Sequence, residues 1–426
     1  MMMFKRMFFV TSVIVSSLSV AHADNPLIAG YLDTTATGSA LKVNMSQANQ
    51  DGYNMVIFGF AKITGTSIDF YDSSSASVLK QKLTEAKASG MKVLVSVGGQ
   101  ANTFNPGTLD SGQISELANN IVTFIHSNGL DGIDFDIEVK TDPNLIMSLL
   151  RDVKYLDQNI LLTAAPQINN GHLVTTGDNQ DYQQAINDGL FDYLFLQEYN
   201  TPPENEVSFI SSIYPIIKAQ TPSNTKIVTG QPTSSVAAGS MSIYYPSSGG
   251  TYNTQDVTVK MLPELKKINT DGQYGGVMGW SMNVDYDAAD YSDPTHISGT
   301  YAYGLKDCVL NNQCDTPPTP KPPVTNYTLQ TSNTDSSSGI GMILTITDNN
   351  GHTFTSDYIA PNSNKVYNAS SNPSASAIEG ITNLMVHWAT YQGGPSGDCP
   401  GRFDLTKNMN IMVNPTYRSC AFKELS

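Results

Sequence analysis

The chain has 426 residues, with 23 lysines and arginines against 38 aspartates and glutamates, a formal net charge of −15. That length exceeds what one hydrophobic core usually serves and points to a large domain plus a smaller one. The acidic balance excludes nucleic acid as a partner, because phosphate binding needs a basic surface; a charged content of only 14%, with abundant Gly, Ser, Thr, Asn and Tyr, fits an exported globular protein.

Lys5 and Arg6 precede an apolar run from Met7 to Val20 and the small-residue pattern Ala21-His22-Ala23. This is the form of a cleavable secretory signal over residues 1–23, and the run is too short to span a bilayer comfortably. A secreted, extracellular protein with no membrane span after cleavage is expected. Cleavage removes two cations and no anions, leaving 21 against 38 and a net charge of −17.

From Leu27 to Trp280 short β-branched runs alternate with longer amphipathic stretches, the pattern of repeated β-α units. Strands are expected at Leu27–Leu32, Tyr53–Phe60, Lys92–Val97, Leu130–Asp136, Ile160–Ala165, Phe191–Tyr199, Lys226–Gly230 and Gly275–Met282. Helices are expected at Ser77–Ala88, Ile114–Ser127, Pro143–Tyr155, Val207–Ala219 and Val257–Ile268. Eight such units imply a closed (β/α)8 TIM barrel over residues 24–307. An open doubly wound sheet is disfavoured, because no Gly-rich phosphate loop follows the first strand.

The pattern breaks after Lys306, and Asp315–Val324 holds five prolines in ten residues, a stiff spacer. Residues 308–326 are therefore assigned to a disulfide loop and Pro-rich linker. Residues 327–426 read as a small β-rich, sandwich-like C-terminal domain with alternating strands at Gly341–Thr347 and His352–Ile359 around an Asp348-Asn-Asn-Gly351 turn. Trp388, Tyr391, Tyr358 and Tyr417 are candidates there either for a polysaccharide-binding face or for the sandwich core, and the spacer favours a binding or surface-attachment role. Four cysteines allow three pairings; pairing within each domain favours Cys308 with Cys314 and Cys399 with Cys420.

The segment that carries chemistry is Asp131-Gly-Ile-Asp134-Phe-Asp136-Ile-Glu138. Alternate side chains of a strand face opposite ways. Ile133, Phe135 and Ile137 should therefore point toward the helices, and Asp134, Asp136 and Glu138 toward the barrel axis and its C-terminal mouth, where barrel active sites lie. Neighbouring acids in this file are spaced about 6.5–7 Å along the strand, close enough to raise at least one pKa and keep a proton available for acid catalysis. Clustered oxygens can also hold Mg²⁺ or Ca²⁺, but the alternation and the motifs on other strands argue against it, and no metal or cofactor is expected.

This pattern resembles the family 18 glycoside hydrolases, the chitinase family, whose D-x-x-D-x-D-x-E signature is matched by Asp131, Asp134, Asp136 and Glu138. The resemblance implies an endo-acting chitinase that cleaves β-1,4-linked N-acetylglucosamine polymers with retention, through attack by the substrate's own N-acetyl group. By the same resemblance Glu138 is the proton donor, Asp136 orients the acetamido group, Asp134 exchanges a proton with Asp136, and Asp131 braces the strand end and is counted among the substrate-binding residues.

The third strand's Ser96-Val-Gly98-Gly99 resembles the family's S-x-G-G; Ser96 would approach Asp134 and the glycines would leave room for substrate. The sixth strand's Gln197-Glu198-Tyr199-Asn200 resembles Q-x-Y-N. There Tyr199 would donate to the acetamido carbonyl, and Glu198 would be a salt-bridged outer residue. Trp280 would floor the sugar subsite, with Tyr31 and the fifth-strand segment Leu162–Gln167 as pocket wall. Only Gln231–Tyr274 separates the last two strands, too little for the inserted domain of some relatives, so the groove should be open and shallow. Partners implied are chitin or N-acetylglucosamine-containing glycans, acted on by a monomer. An endo-β-N-acetylglucosaminidase acting on N-glycans and an inactive chitin-binding lectin share the barrel and remain the alternatives.

Overall fold

A computed structural model describes residues 26–169, 172–173, 182–201, 205–287, 296–318, 328–335, 340–347, 353–368, 384–391, 394–401 and 409–424. The expected signal segment, most of the proline spacer and the turn at 348–351 lie outside them. Eight strands form one parallel sheet: β1 (Leu27–Asp33), β2 (Met55–Thr64), β3 (Lys92–Gly98), β4 (Gly132–Asp136), β5 (Leu161–Ala164), β6 (Tyr193–Gln197), β7 (Lys226–Pro232) and β8 (Tyr274–Trp280). Each pairs with the next in chain order, and β8 pairs back with β1, so the barrel closes.

The helices are α1 (Thr37–Lys42), α2 (Met45–Asp51), α3 (Ser73–Ala88), α4 (Ser111–Asn128), α5 (Pro143–Leu156), α6 (Gln183–Asn187), α7 (Phe209–Ala219), α8 (Thr254–Lys266), α9 (Met282–Asp287) and α10 (Thr300–Asn311). Hydrophobic spacing placed α3, α4 and α8 three or four residues late. Their first turns are polar and are fixed by caps: Asp72 accepts from Ser75 N, Asp110 from Gln113 N and Asn253 from Asp256 N. The expected barrel limit at 307 falls inside α10. Cys308, Val309 and Cys314 are buried in the cluster between sheet and helices, so the barrel's packing extends to the Cys308–Cys314 disulfide.

Strand alternation divides the barrel core into two shells. Val93, Val95 and Val97 of β3, with Ile133, Phe135 and Ile137 along β4, join the outer cluster under the helices. Tyr31, Ile57, Leu94, Phe195, Val228 and Met278 fill the interior. Burying a large apolar side chain is worth about 1.5–3 kcal/mol, and this filled interior is the floor on which the polar mouth rests.

The C-terminal strands are β9 (Thr328–Asn333), β10 (Met342–Thr347), β11 (Thr353–Thr355), β12 (Ser363–Asn368), β13 (Met385–Thr390), β14 (Ser396–Asp398), β15 (Met409–Asn414) and β16 (Ser419–Glu424). They form two four-stranded sheets, ordered β12-β9-β15-β16 and β11-β10-β13-β14. Both sheets supply one core, with Leu329 and Ile411 from the first and Leu344, Phe354 and Trp388 from the second, which makes a sandwich. Cys399 is bonded to Cys420. Trp388 belongs to the core at 1% exposure, whereas Tyr358, Tyr391 and Tyr417 are 43%, 54% and 74% exposed.

Candidate active site

The C-terminal mouth of the barrel gathers polar side chains from six strands. Ser96, Asp134 and Thr163 are register partners across β3, β4 and β5, so they form one layer facing inward. The Asp134 carboxyl is buried and saturated by hydroxyls: Tyr31 Oη donates to Oδ2 at 2.8 Å, Ser96 Oγ to Oδ2 at 2.7 Å and Thr163 Oγ1 to Oδ1 at 2.6 Å. Burial raises its pKa, and the three hydroxyls pull the other way by favouring the carboxylate.

One layer higher, Asp136 is also buried and accepts from Gln197 Nε2 at 2.9 Å; the same amide holds the Ala165 carbonyl at 2.9 Å. Burial pushes Asp136 well above the ordinary carboxylate range, and the charges of Glu138 and Asp134 push it further against the opposing Gln197 hydrogen bond. Asp134 thus has the larger set of hydroxyl donors, and Asp136 the stronger upward push on its pKa. Glu138 lies two residues past the end of β4, half-buried, and burial raises its pKa as well. The order along the strand is a hydroxyl-bound acid, a buried acid with its pKa raised furthest, then a half-buried acid at the mouth.

Tyr199 follows β6 by two residues at 5% exposure and adds to the field at the Tyr31 phenol. Trp280 ends β8, partly exposed, with its ring 5.8 Å from that of Tyr31. The loop from Thr233 to Asn253 flanks this side and is stitched to the end of β6, with Asn200 N donating to Met241 O at 2.7 Å and Gly239 N to Asn200 Oδ1 at 3.1 Å. It presents Val236 and Met241 to solvent at 36% and 40% exposure.

Two expectations are revised by this geometry. Asp131 stands at the opposite, N-terminal end of the strand, where Lys87 Nζ at 2.6 Å and Val93 N at 2.7 Å share its Oδ2; it ties strand to helix and lies away from the mouth. Gly98 does not leave room for a substrate. A Cβ there would lie 1.9 Å from the Asp136 carbonyl oxygen, and its φ is +114°, so glycine is required for β3 to approach the acid strand. Glu198, expected as a salt-bridged outer residue, is buried at 1% exposure, and Gln231 Nε2 donates to its Oε2 at 2.8 Å.

Two residues of the site were not singled out from sequence. Thr163 shares the inward parity of its strand, and that signal was available within the Leu162–Gln167 segment. Tyr182, at the start of α6, has no such signal; its phenol donates to the Phe135 carbonyl at 2.7 Å and accepts from Ile137 N, on either side of Asp136.

An eight-stranded parallel barrel with a file of carboxyls rising along β4 to its C-terminal mouth is the framework of a glycoside hydrolase. The profile of the glycosyl hydrolases family 18 matches residues 27–256, and the chain belongs to that family. It is 30% identical over 233 residues to an acidic endochitinase of Phaseolus angularis, spanning 50% of this chain and 68% of that one. A second acidic endochitinase, from Cicer arietinum, is 27% identical over 304 residues, 65% of this chain and 93% of the relative. Among solved structures, a putative chitinase A of Streptomyces coelicolor superimposes with a TM-score of 0.51 at 22% identity, covering 66% of this chain and all of the other, and shares the fold.

Proposed function

We propose that the protein is a secreted chitinase that cuts within chains of β-1,4-linked N-acetylglucosamine, with retention of configuration. The observation that carries this reading is the graded acid file, in which three hydroxyls hold Asp134 while burial and its acidic neighbours raise the pKa of Asp136 below Glu138. Glu138 protonates the glycosidic oxygen, and the substrate's acetamido oxygen attacks the anomeric carbon to give an oxazolinium ion. Asp136 hydrogen-bonds the acetamido N–H as charge develops there, and Tyr199 donates to the acetamido oxygen. Water then opens the ring, returning its proton to Glu138. Positioning an internal nucleophile is worth about 7–11 kcal/mol of barrier, so a second catalytic carboxylate opposite Glu138 is not needed.

The endochitinase names of the relatives support chitin as substrate. The segment between β7 and β8 contains only the Thr233–Asn253 loop, α8 and its exit to β8, which supports an open groove and cutting within chains. The paired cysteines and the leading apolar run support secretion. Hydrolysis of soluble N-acetylglucosamine oligomers and of a high-mannose glycopeptide, side by side, tests the assignment. Oligomer cleavage with mixed early products supports it; cleavage of the glycopeptide alone makes the protein a glycan-trimming enzyme, and cleavage of neither makes it a lectin.

We further propose that the C-terminal sandwich holds the insoluble polymer through its exposed tyrosines. Tyr358 lies over Gly341, where an added Cβ would fall 2.0 Å from its ring, and Tyr391 packs against it with ring centroids 4.9 Å apart. An aromatic ring kept at the surface offers an apolar face to a sugar. The full-length Tyr358→Ala/Tyr391→Ala variant is expected to lose about tenfold in retention on insoluble chitin, as removal of about 1.4 kcal/mol of binding would give, with unchanged cleavage of soluble oligomers. Equal retention would remove the role.

A further inference from the structure

The backbone at the top of β4 has an unusual partner. The last rung between β4 and β5 is Ala165 N donating to Phe135 O at 3.1 Å; the next residue of that neighbour is Pro166, and the Ala165 carbonyl is already held by Gln197. The chain nevertheless continues through Asp136 and Ile137, both buried, before Glu138 emerges. Buried backbone N–H groups are nearly always paired. Tyr182 supplies the partner: its phenol oxygen accepts from Ile137 N and donates to Phe135 O at 2.7 Å, closing a bridge around Asp136.

Tyr182 is itself 1% exposed, and its ring packs edge-on against Phe191 with centroids 6.0 Å apart. The hydroxyl is therefore delivered by a fixed body. Burial and the charges of Asp136, Asp134 and Glu138 hold the phenol pKa well above its usual value, so the donor is present throughout the working range of a hydrolase. One residue beyond the anchored N–H stands the proton donor, whose raised pKa depends on how deeply its carboxyl is seated.

We propose that Tyr182 is a positioning residue of this site: by bridging Phe135 O and Ile137 N it sets the direction in which Asp136 and Glu138 leave the barrel wall, and so seats the donor carboxyl. The inference rests on Glu138 being that donor. It assigns the role to the hydroxyl, since the ring alone would serve the core.

Tyr182→Phe keeps the ring and removes the bridge. The test is the titration of the Glu138 carboxyl, followed by NMR in ¹³C-glutamate-labelled full-length protein and assigned with Glu138→Gln, alongside kcat, KM and the pH profile on soluble oligomers. With the bridge gone the donor reaches water, its pKa falls toward that of an ordinary glutamate, and the alkaline limb of kcat moves to lower pH. A loss of about tenfold in kcat is expected, with KM within about twofold, since orientation rather than binding is affected. Phe191→Leu is the packing control and should lower thermal stability without moving the titration. An unchanged Glu138 titration in folded Tyr182→Phe would overturn the proposal, as would a shift of equal size in Phe191→Leu. If Tyr182→Phe fails to fold, 4-fluorophenylalanine placed at 182 fills the hydroxyl's space without a proton to donate, and an unmoved titration there would likewise overturn it. Because the titration is read without turnover, an inactive wild-type protein would count against the chitinase reading and leave the Tyr182 result standing.

Discussion

Glu138→Gln is expected to lower kcat on soluble N-acetylglucosamine oligomers by about 10²–10⁴-fold, the range in which a positioned general acid contributes, with little change in KM or in thermal stability. Glutamine preserves the shape of the side chain at a half-buried position, so the barrel has no reason to unfold. What is lost is a proton available to the leaving oxygen. Glu138 is suited to supply it because burial lifts its pKa, and because Asp136 below it is biased toward its own acid form. Steady-state kinetics on the purified variant checks the result. Residual activity within tenfold of wild type would mean that the proton comes from another group.

Asp136→Asn separates chemistry from stability. Loss of the group that orients the acetamido N–H should lower kcat by about 10²–10³-fold, the scale of removing one charge-stabilising contact in a preorganised site. The effect on folding runs the other way. Burial, Glu138 and Asp134 raise the folded-state pKa of Asp136 well above that of the unfolded chain, so the folded state binds the extra proton. The stability this group contributes is complete below the ordinary aspartate pKa and is lost as pH rises through the folded value. Asparagine does not titrate. The variant should therefore match wild type near pH 4 and exceed it in Tm at pH 8–9, measured by thermal unfolding across that range. A variant less stable than wild type at high pH would contradict the electrostatic account of the file.

The barrel and its acid file were legible because both are written in strand parity. The alternation of Ile133, Phe135 and Ile137 with Asp134 and Asp136 places the acids inward, and the structure puts the first set in the outer cluster and buries the second in the mouth. Ser96 was legible beside Asp134 only through the resemblance of Ser96-Val-Gly98-Gly99 to the S-x-G-G motif, and the register of the adjacent parallel strands pairs the two. Parity fails where the chain leaves the strand. Tyr182 is the N-cap of α6, and its hydrogen bonds to Phe135 and Ile137 depend on how that helix start meets the end of β4, which no local periodicity encodes.

Gly98 shows a different limit. A glycine at a barrel mouth is compatible with room for a ligand or with close backbone approach, and only the 1.9 Å separation between an added Cβ and the Asp136 carbonyl oxygen decides for the second. In α10 the limit is composition: a helix carrying Gly304 and a disulfide-bonded Cys308 lacks a plain apolar stripe, so the sequence pattern ends before the helix does. Trp388 was ambiguous for a similar reason, since its strand alternation fits either face until the second sheet covers one of them.

In the proposed reaction Glu138 donates a proton while the substrate's own acetamido group forms the first bond. The most direct measurement is the anomeric configuration of the first product, read by ¹H NMR within the opening minutes of hydrolysis of an N-acetylglucosamine hexamer. Double displacement through an oxazolinium ion predicts that the new reducing end appears as the β anomer and then mutarotates. An initial α anomer would mean single displacement by water and would contradict the account.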